Sequence, residues 1–155
     1  MADIKTTDDL MLFLINLFAE RFPQSAILKG GMALRLLDCP RYTNDLDYIF
    51  IPFLSKKDIV NDICKLLKKV PNLTFEYGLN SKCLRIKINY NNLSTQVEIN
   101  VAEDCPSVPI STATLSSTTG QLSSVIRIMD YSVSMAHKLA AWNERRLIRD
   151  LYDLQ

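Results

Sequence analysis

Three stretches of alternating apolar residues between positions 73 and 101 constrain the fold of this chain more than any other feature of its sequence. Within each stretch every second residue is apolar or aromatic, and polar turn residues at Gly78 to Asn80 and at Asn91 and Asn92 separate the stretches. A period of two is typical of half-buried strands, and short polar turns favour antiparallel hairpins. We therefore predict three strands, around Phe75 and Tyr77, over Leu84 to Tyr90 and over Thr95 to Val101.

Helical patterns surround these strands. A first helix is expected from Leu10 to Phe22, because Thr6 or Thr7 can cap it and Pro23 stops it. Apolar residues at helical spacing predict further helices over Met32 to Leu37, Ile59 to Leu67, Asp130 to Arg146 and Arg149 to Leu154. Strands are expected at Tyr48 to Ile51 and Ser124 to Met129, and a loop or irregular strand over Ser111 to Ser124. The sequence thus predicts an α+β domain in which helices flank a mixed or antiparallel sheet.

The composition indicates one soluble domain over residues 1–155. The chain is 48% hydrophobic, which is enough for a single core, and its length is too short for two full domains. Its 18 basic and 17 acidic residues give a net charge of +1, so any site for a polyanion must be a local patch. The longest apolar stretch, Leu10 to Ala19, is far shorter than the roughly 20 residues that span a bilayer, which predicts no membrane association.

The cysteines and the histidine argue against a structural zinc site. The four cysteines have no C-x-x-C spacing, and His137 is the single histidine. The N-terminal residues lack the pattern of a secretory signal peptide. We therefore expect reduced thiols and a cytoplasmic location.

The candidate chemistry lies in a glycine pair and an acidic pair. Gly30 and Gly31 precede a short predicted helix, and Asp45 and Asp47 follow it at the start of a predicted strand. Residues two apart on a strand share a face, so the two carboxylates could hold Mg²⁺ or Mn²⁺, while the glycine backbone could approach a phosphate. Each motif taken alone also fits an ordinary turn.

Two sequence blocks together give a more specific indication. The segment Leu28-Lys29-Gly30-Gly31-Met32-Ala33-Leu34-Arg35-Leu36, with Arg41-Tyr42-Thr43-Asn44-Asp45-Leu46-Asp47, resembles the AbiEii/AbiGii toxin family, the nucleotidyltransferase-like half of type IV toxin–antitoxin systems. His137-Lys138-Leu139-Ala140-Ala141 and Arg149-Asp150-Leu151-Tyr152-Asp153-Leu154 are similar to the distal motif of that family. The resemblance runs from Ile27 to Leu154 and implies a nucleotidyltransferase-like fold.

The resemblance also implies roles for individual residues. Asp45 and Asp47 would hold the catalytic metal ions, with Glu98 as the third carboxylate and Glu103 or Asp104 as alternatives to it. Lys138 would be a further catalytic residue. The implied nucleotide-binding residues are Lys29, Gly30, Gly31, Arg41 and Asp150.

The implied activity is metal-dependent transfer of an NMP from an NTP to an acceptor hydroxyl, with RNA, in particular a tRNA end, as the acceptor and an antitoxin protein as a partner. Two alternatives remain open: a degenerate nucleotide-binding or interaction module without turnover, and a hydrolytic nuclease that uses the same acids. The chain departs from the family pattern in Met32, where many members have a hydroxyl residue, and in ending at Gln155, where such toxins usually continue into more helices. Apolar residues exposed near that end predict a homodimer or a protein complex, or else weak activity from a mobile terminal helix.

Overall fold

The computed structural model describes residues 3–37 and 43–130 of the chain. This part contains, in order, α1 (Thr7–Arg21), β1 (Ala26–Lys29), α2 (Gly30–Leu36), β2 (Asp45–Phe50), α3 (Lys57–Lys68), β3 (Leu73–Leu79), β4 (Leu84–Tyr90), β5 (Leu93–Val101), β6 (Ser107–Ser111), α4 (Ala113–Thr119) and β7 (Val125–Met129). The helices expected over Asp130 to Arg146 and Arg149 to Leu154 lie outside the described residues.

The seven strands form one mixed sheet in the order β3-β4-β5-β2-β1-β7-β6. Antiparallel pairs join β3 to β4, β4 to β5 and β6 to β7. At the centre, β2 is antiparallel to β1 and parallel to β5, while β1 is parallel to β7. The predicted hairpins and the predicted α+β class with a mixed sheet are confirmed.

Local signals explain how α1 begins and how it is joined to α2. The Thr6 hydroxyl accepts a hydrogen bond from the Asp9 N–H at 3.1 Å, and the Asp9 carboxylate accepts one from the Thr6 N–H at 3.0 Å. This reciprocal capping satisfies N–H groups that the first turn of a helix leaves without partners. The Arg35 guanidinium of α2 donates two hydrogen bonds to the Asp8 carboxylate of α1, both at 3.0 Å.

The helices pack against one face of the sheet and form its core. Leu46, Tyr48 and Phe50 of β2 point to this face and are buried. The Phe18 ring of α1 lies edge to face with Tyr48 at 5.3 Å and with Phe50 at 6.3 Å between ring centroids. Because side chains alternate along a strand, this packing directs the other residues of β2, Asp45 among them, to the opposite face, which we call the open face.

The structure corrects the expectation for residues 111–124. The sequence predicts a loop or an irregular strand there, but helix α4 occupies Ala113–Thr119. Serine and threonine have low helix propensity, which hides the helix in the sequence. The buried side chain of Leu115 anchors α4, and Gly120, with a φ of 76°, ends it.

Strands β1 and β6 are not evident from the sequence. Strand β1 has four residues, of which Ala26, Ile27 and Leu28 are all buried, so it shows no alternation. Strand β6 contains Pro109, which argues against a central strand, and it lies at the edge of the sheet where proline is tolerated.

The expectations of reduced thiols and of no membrane association can be compared with the described residues. Cys64, Cys83 and Cys105 form no disulfide there. Over residues 3–37 and 43–130, no helix has the length and the apolar character needed to cross a membrane.

Candidate active site

The open face of the sheet carries a group of polar side chains on its central strands. Strands β2, β4 and β5 alternate between buried residues on the helix face and more exposed residues on the open face. The residues on the open face are Asp45, Asp47, Gln96, Glu98, Arg85, Lys87 and Asn89. These side chains are neighbours because of strand register, although the chain separates them by up to 53 positions.

Asp45 and Asp47 lie at the beginning of β2. Asp45 is exposed and Asp47 is half-buried. The buried Thr95 hydroxyl of β5 donates a hydrogen bond to the carbonyl oxygen of Asn44, which fixes the start of β2 against β5. Residues two apart on one strand are roughly 6 to 7 Å apart, so the two carboxylates project to the open face side by side.

The backbone at Gly30 lies close to Asp47 of the acidic pair. Its φ is 74°, a backbone conformation that residues other than glycine rarely adopt. A Cβ atom at this position would lie 2.6 Å from Oδ2 of Asp47. Glycine is therefore needed here for two reasons, the left-handed backbone and the space for the carboxylate. Gly31 follows in the first turn of α2.

Lys29 places a positive charge beside Asp47. It lies on β1, whereas β5 lies on the other side of Asp47. It ends β1, where it is the antiparallel register partner of Asp47. Burial raises the pKa of the Cys105 thiol, the Asp104 charge raises it further, and the Lys29 charge lowers it, so Lys29 lies within electrostatic reach of Cys105. Among the described residues, Lys29 forms no ion pair.

Glu98 lies beside Asp47 on β5, because the two residues are register partners in the parallel β2–β5 pair. Its Oε1 atom accepts a hydrogen bond from Nε2 of Gln96 at 3.0 Å and forms an ion pair with Nη2 of Arg85 at 3.2 Å. In the part of the chain that the structure describes, Oε2 has no such partner. One carboxylate oxygen of Glu98 is thus held by protein groups and the other remains available.

Two cross-strand rows organise the open face. In the first row Lys29, Asp47, Glu98 and Arg85 follow one another across four strands. In the second row Asp45, Gln96, Lys87 and Glu76 do the same. The first row places two acidic residues between a basic residue on either side, and the second row places an acidic residue at each end.

Arg85 and Lys87 are not among the site residues predicted from the sequence. The same alternation that assigned Glu98 to the open face also applies to β4, so it could have indicated these residues. Their proximity to the acids depends on strand register, which the sequence pattern alone does not provide.

The residues on the open face fit a hard divalent cation. Carboxylate oxygens are the ligands that Mg²⁺ and Mn²⁺ prefer, and Asp45, Asp47 and Glu98 supply them from neighbouring positions of two strands. Over the described residues, no three acidic, histidine or cysteine side chains are already close enough together to hold an ion. Coordination by all three carboxylates would therefore require these side chains to move closer together.

Of the other predicted site residues, the structure describes only Glu103 and Asp104. Glu103 and Asp104 are exposed and follow the end of β5, whereas register places Glu98 next to Asp47. Arg41, Lys138 and Asp150 lie outside the described residues, so their assignments stay predictions.

Comparison with known proteins gives one match to a family model. Residues 12–155 match the family described as nucleotidyl transferase AbiEii toxin of a type IV toxin–antitoxin system. The matched region contains every residue of the candidate site. No protein of curated function matches the chain in sequence.

Proposed function

The chain belongs to the AbiEii family of nucleotidyl transferase toxins of type IV toxin–antitoxin systems, and on that premise we propose that it transfers an NMP from an NTP to a hydroxyl group of RNA. The observation that carries this proposal is the approach of the Gly30 backbone to the Asp47 carboxylate. It joins a glycine backbone that phosphate oxygens can approach closely to an acidic pair that can hold a cation. A nuclease has no need for the first of these two parts.

In this proposal the NTP lies on the β1 side of the acidic pair. Lys29 pairs with the triphosphate, and the backbone at Gly30 and Gly31 allows the phosphates to approach the aspartates. The positive charge of Lys29, which no described residue neutralises, supports this role. Arg41 and Asp150 are further proposed nucleotide-binding residues.

The carboxylates act on the reacting groups. Asp45 and Asp47, with Glu98 as the third ligand, would hold Mg²⁺ or Mn²⁺, which would neutralise the negative charge of the phosphates. Glu98 and the aspartates are candidates to accept the proton of the attacking hydroxyl. A bond forms between the acceptor oxygen and the α-phosphorus, and the bond to pyrophosphate breaks. Lys138 is a further proposed catalytic residue.

The partners follow from the family. We propose an antitoxin as the protein that limits the activity in a cytoplasmic setting, and a homodimer remains a prediction. We propose that the acceptor is RNA, and specifically the end of a tRNA.

Label transfer tests the proposed function. The full chain is incubated with each α-³²P-labelled NTP in turn, Mg²⁺ and total RNA, and both labelled RNA and released pyrophosphate are measured. We expect label in RNA with wild-type protein, no label with Asp45→Asn/Asp47→Asn, and a higher half-saturating NTP concentration with Lys29→Ala. Label in protein alone, or shortened RNA without incorporated label, would contradict the proposal.

The ion pair between Arg85 and Glu98 favours one alternative, a module that binds nucleotide without turnover. If Arg85 keeps Glu98 from the cation, the chain would bind NTP but release no pyrophosphate. Saturable NTP binding in a calorimetric titration, together with no pyrophosphate in the label-transfer assay, would select this alternative.

A further inference from the structure

A polar cleft of about 360 Å³ adjoins Asp45 on the open face. Its polar lining comes from the ends of β2, β4 and β5 and consists of Asn44, Asp45, Lys87, Asn89, Ser94, Thr95 and Gln96. A volume of this size lies in the range of pockets that bind small organic groups. The cleft is therefore large enough to receive part of a substrate next to the acidic pair.

The lining offers hydrogen-bonding groups and one uncommitted cation. Lys87 is exposed, and within residues 3–37 and 43–130 its ammonium group has no ion pair or hydrogen bond. In contrast, Arg85, two residues away on the same strand, is engaged by Glu98 at 3.2 Å. Lys87 is thus the cation of β4 that is available to an incoming phosphate.

The walls of the cleft are held by the sheet. Lys87 pairs in register with Gln96, and Asn89 pairs with Ser94 across the β4–β5 hairpin. The Thr95 hydroxyl binds the carbonyl oxygen of Asn44, so the β2 side is fixed as well. A ligand would meet these groups in a largely pre-formed arrangement, which lowers the entropic cost of binding.

The position of the cleft distinguishes it from the NTP side. Lys29 and Gly30 lie on the β1 side of Asp47, whereas the cleft lies on the β5 and β4 side of Asp45. In phosphoryl transfer the attacking and leaving oxygens are roughly in line with the phosphorus between them. If the triphosphate occupies the β1 side, the acceptor has to approach from the opposite side, where the cleft lies.

We propose that this cleft binds the acceptor end of a single-stranded RNA, with Lys87 in contact with a backbone phosphate and the amides of Asn44 and Asn89 in contact with base or ribose groups. This inference rests on the proposed function. Amide side chains both donate and accept hydrogen bonds, as the exposed edges of unpaired bases require. Lys87, the one cation among the described residues that line the cleft, corresponds to one phosphate contact.

Binding of RNA in the absence of NTP tests the inference independently of turnover. The full chain is titrated against a fluorescein-labelled single-stranded oligoribonucleotide of mixed sequence, and anisotropy is followed at several salt concentrations. The variant is Lys87→Gln. The control is Lys65→Gln, which makes the same change of charge at an exposed position of α3, on the helix face of the sheet.

We expect Lys87→Gln to weaken RNA binding about three- to tenfold and to reduce the slope of log K against log salt by about 0.7, the value for one phosphate contact to a single strand. Asn89→Ala should weaken binding without a change of slope, and Lys65→Gln should change neither quantity. Equal RNA affinity and slope for Lys87→Gln and Lys65→Gln would overturn the inference. Wild-type protein that labels a protein acceptor and binds no oligoribonucleotide would also overturn it.

Failure of the proposed function gives a different result. In that case no NTP is converted to pyrophosphate by wild-type protein with any acceptor, whereas the anisotropy experiment still decides whether Lys87 binds RNA.

Discussion

At Gly30 two requirements coincide at one residue. The backbone is left-handed, with a φ of 74°, and a side chain would collide with the Asp47 carboxylate at 2.6 Å. Gly120 has nearly the same φ, 76°, but nothing lies within 4 Å of its would-be Cβ. Comparison of Gly30 with Gly120 therefore separates the cost of backbone strain from the cost of displacing Asp47.

Replacement of each glycine by alanine tests this separation. Both Gly30→Ala and Gly120→Ala should lower the free energy of unfolding by about 1 to 2 kcal/mol, the cost of a left-handed residue with a Cβ atom. Only Gly30→Ala should also reduce nucleotide transfer, by at least about tenfold, because a shift of about 1 Å in a reacting group costs more than that. Urea unfolding and the label-transfer rate provide the two measurements. Equal transfer rates for the two variants would show that the Gly30 contact does not matter for the reaction.

Arg85 is the second residue whose effect can be isolated. Its guanidinium pairs with Glu98, so a cation that recruits Glu98 has to compete with it. We expect Arg85→Met to bind Mn²⁺ about three- to tenfold more tightly, a gain of about 0.7 to 1.4 kcal/mol, because Glu98 no longer has to leave its ion pair to bind the cation.

Calorimetric titration with Mn²⁺ measures that gain. In the matched control, Glu98→Gln alone and Glu98→Gln/Arg85→Met should differ by less than this, since the carboxylate is gone in both. Unchanged or weaker Mn²⁺ binding by Arg85→Met would indicate that Glu98 is not a ligand.

At the scale of elements, the contact between α1 and α2 holds the segment that carries Gly30. Arg35 of α2 hydrogen-bonds to the Asp8 carboxylate of α1, and these hydrogen bonds hold the pKa of Asp8 below its ordinary value, although partial burial opposes the shift. A carboxylate with a lowered pKa in the folded state stabilises the fold above its unfolded-state pKa, and this stabilisation is lost as the pH falls through the folded-state pKa.

The stability of Asp8→Asn should therefore depend on pH. At pH 7 we expect the variant to be less stable than wild type by about 0.5 to 1 kcal/mol, a modest value because the Asp8 side chain is 40% exposed. The difference should shrink below the ordinary pKa of 3.8. Urea unfolding at pH 7, 5 and 3 measures it, with Asp3→Asn, whose side chain is 79% exposed, as the control. A gap of the same size at pH 3 would contradict the assignment.

The elements also show which features of the fold can be predicted from sequence. Strands β4 and β5 follow directly from strict alternation, and α1 follows from the cap at Thr6 and the stop at Pro23. Strand β1 and helix α4 cannot be predicted in this way, because three successive residues of β1 are buried without alternation and α4 is rich in serine and threonine. Their structures are determined by tertiary contacts.

At the scale of the whole molecule, one sheet separates packing from chemistry. The helix face carries the aromatic contacts of Phe18 with Tyr48 and Phe50, and the open face of the same strand carries Asp45 and Asp47. The two aspartates and Gly30 can be predicted from the sequence because their motifs are local. Arg85 and Lys87 lie near them because of the register between β4 and β5, which no local motif encodes.

The most direct measurement of the central claim is the affinity of the acidic pair for Mn²⁺. In calorimetric titrations, wild-type protein should bind Mn²⁺ saturably, and Asp45→Asn/Asp47→Asn should bind it at least about 100-fold more weakly while it keeps the wild-type unfolding midpoint, since neither side chain packs in the core. Glu103→Gln/Asp104→Asn, which removes two exposed carboxylates beyond the end of β5, should bind Mn²⁺ as wild type does. Unchanged Mn²⁺ affinity in a folded Asp45→Asn/Asp47→Asn protein would contradict the account.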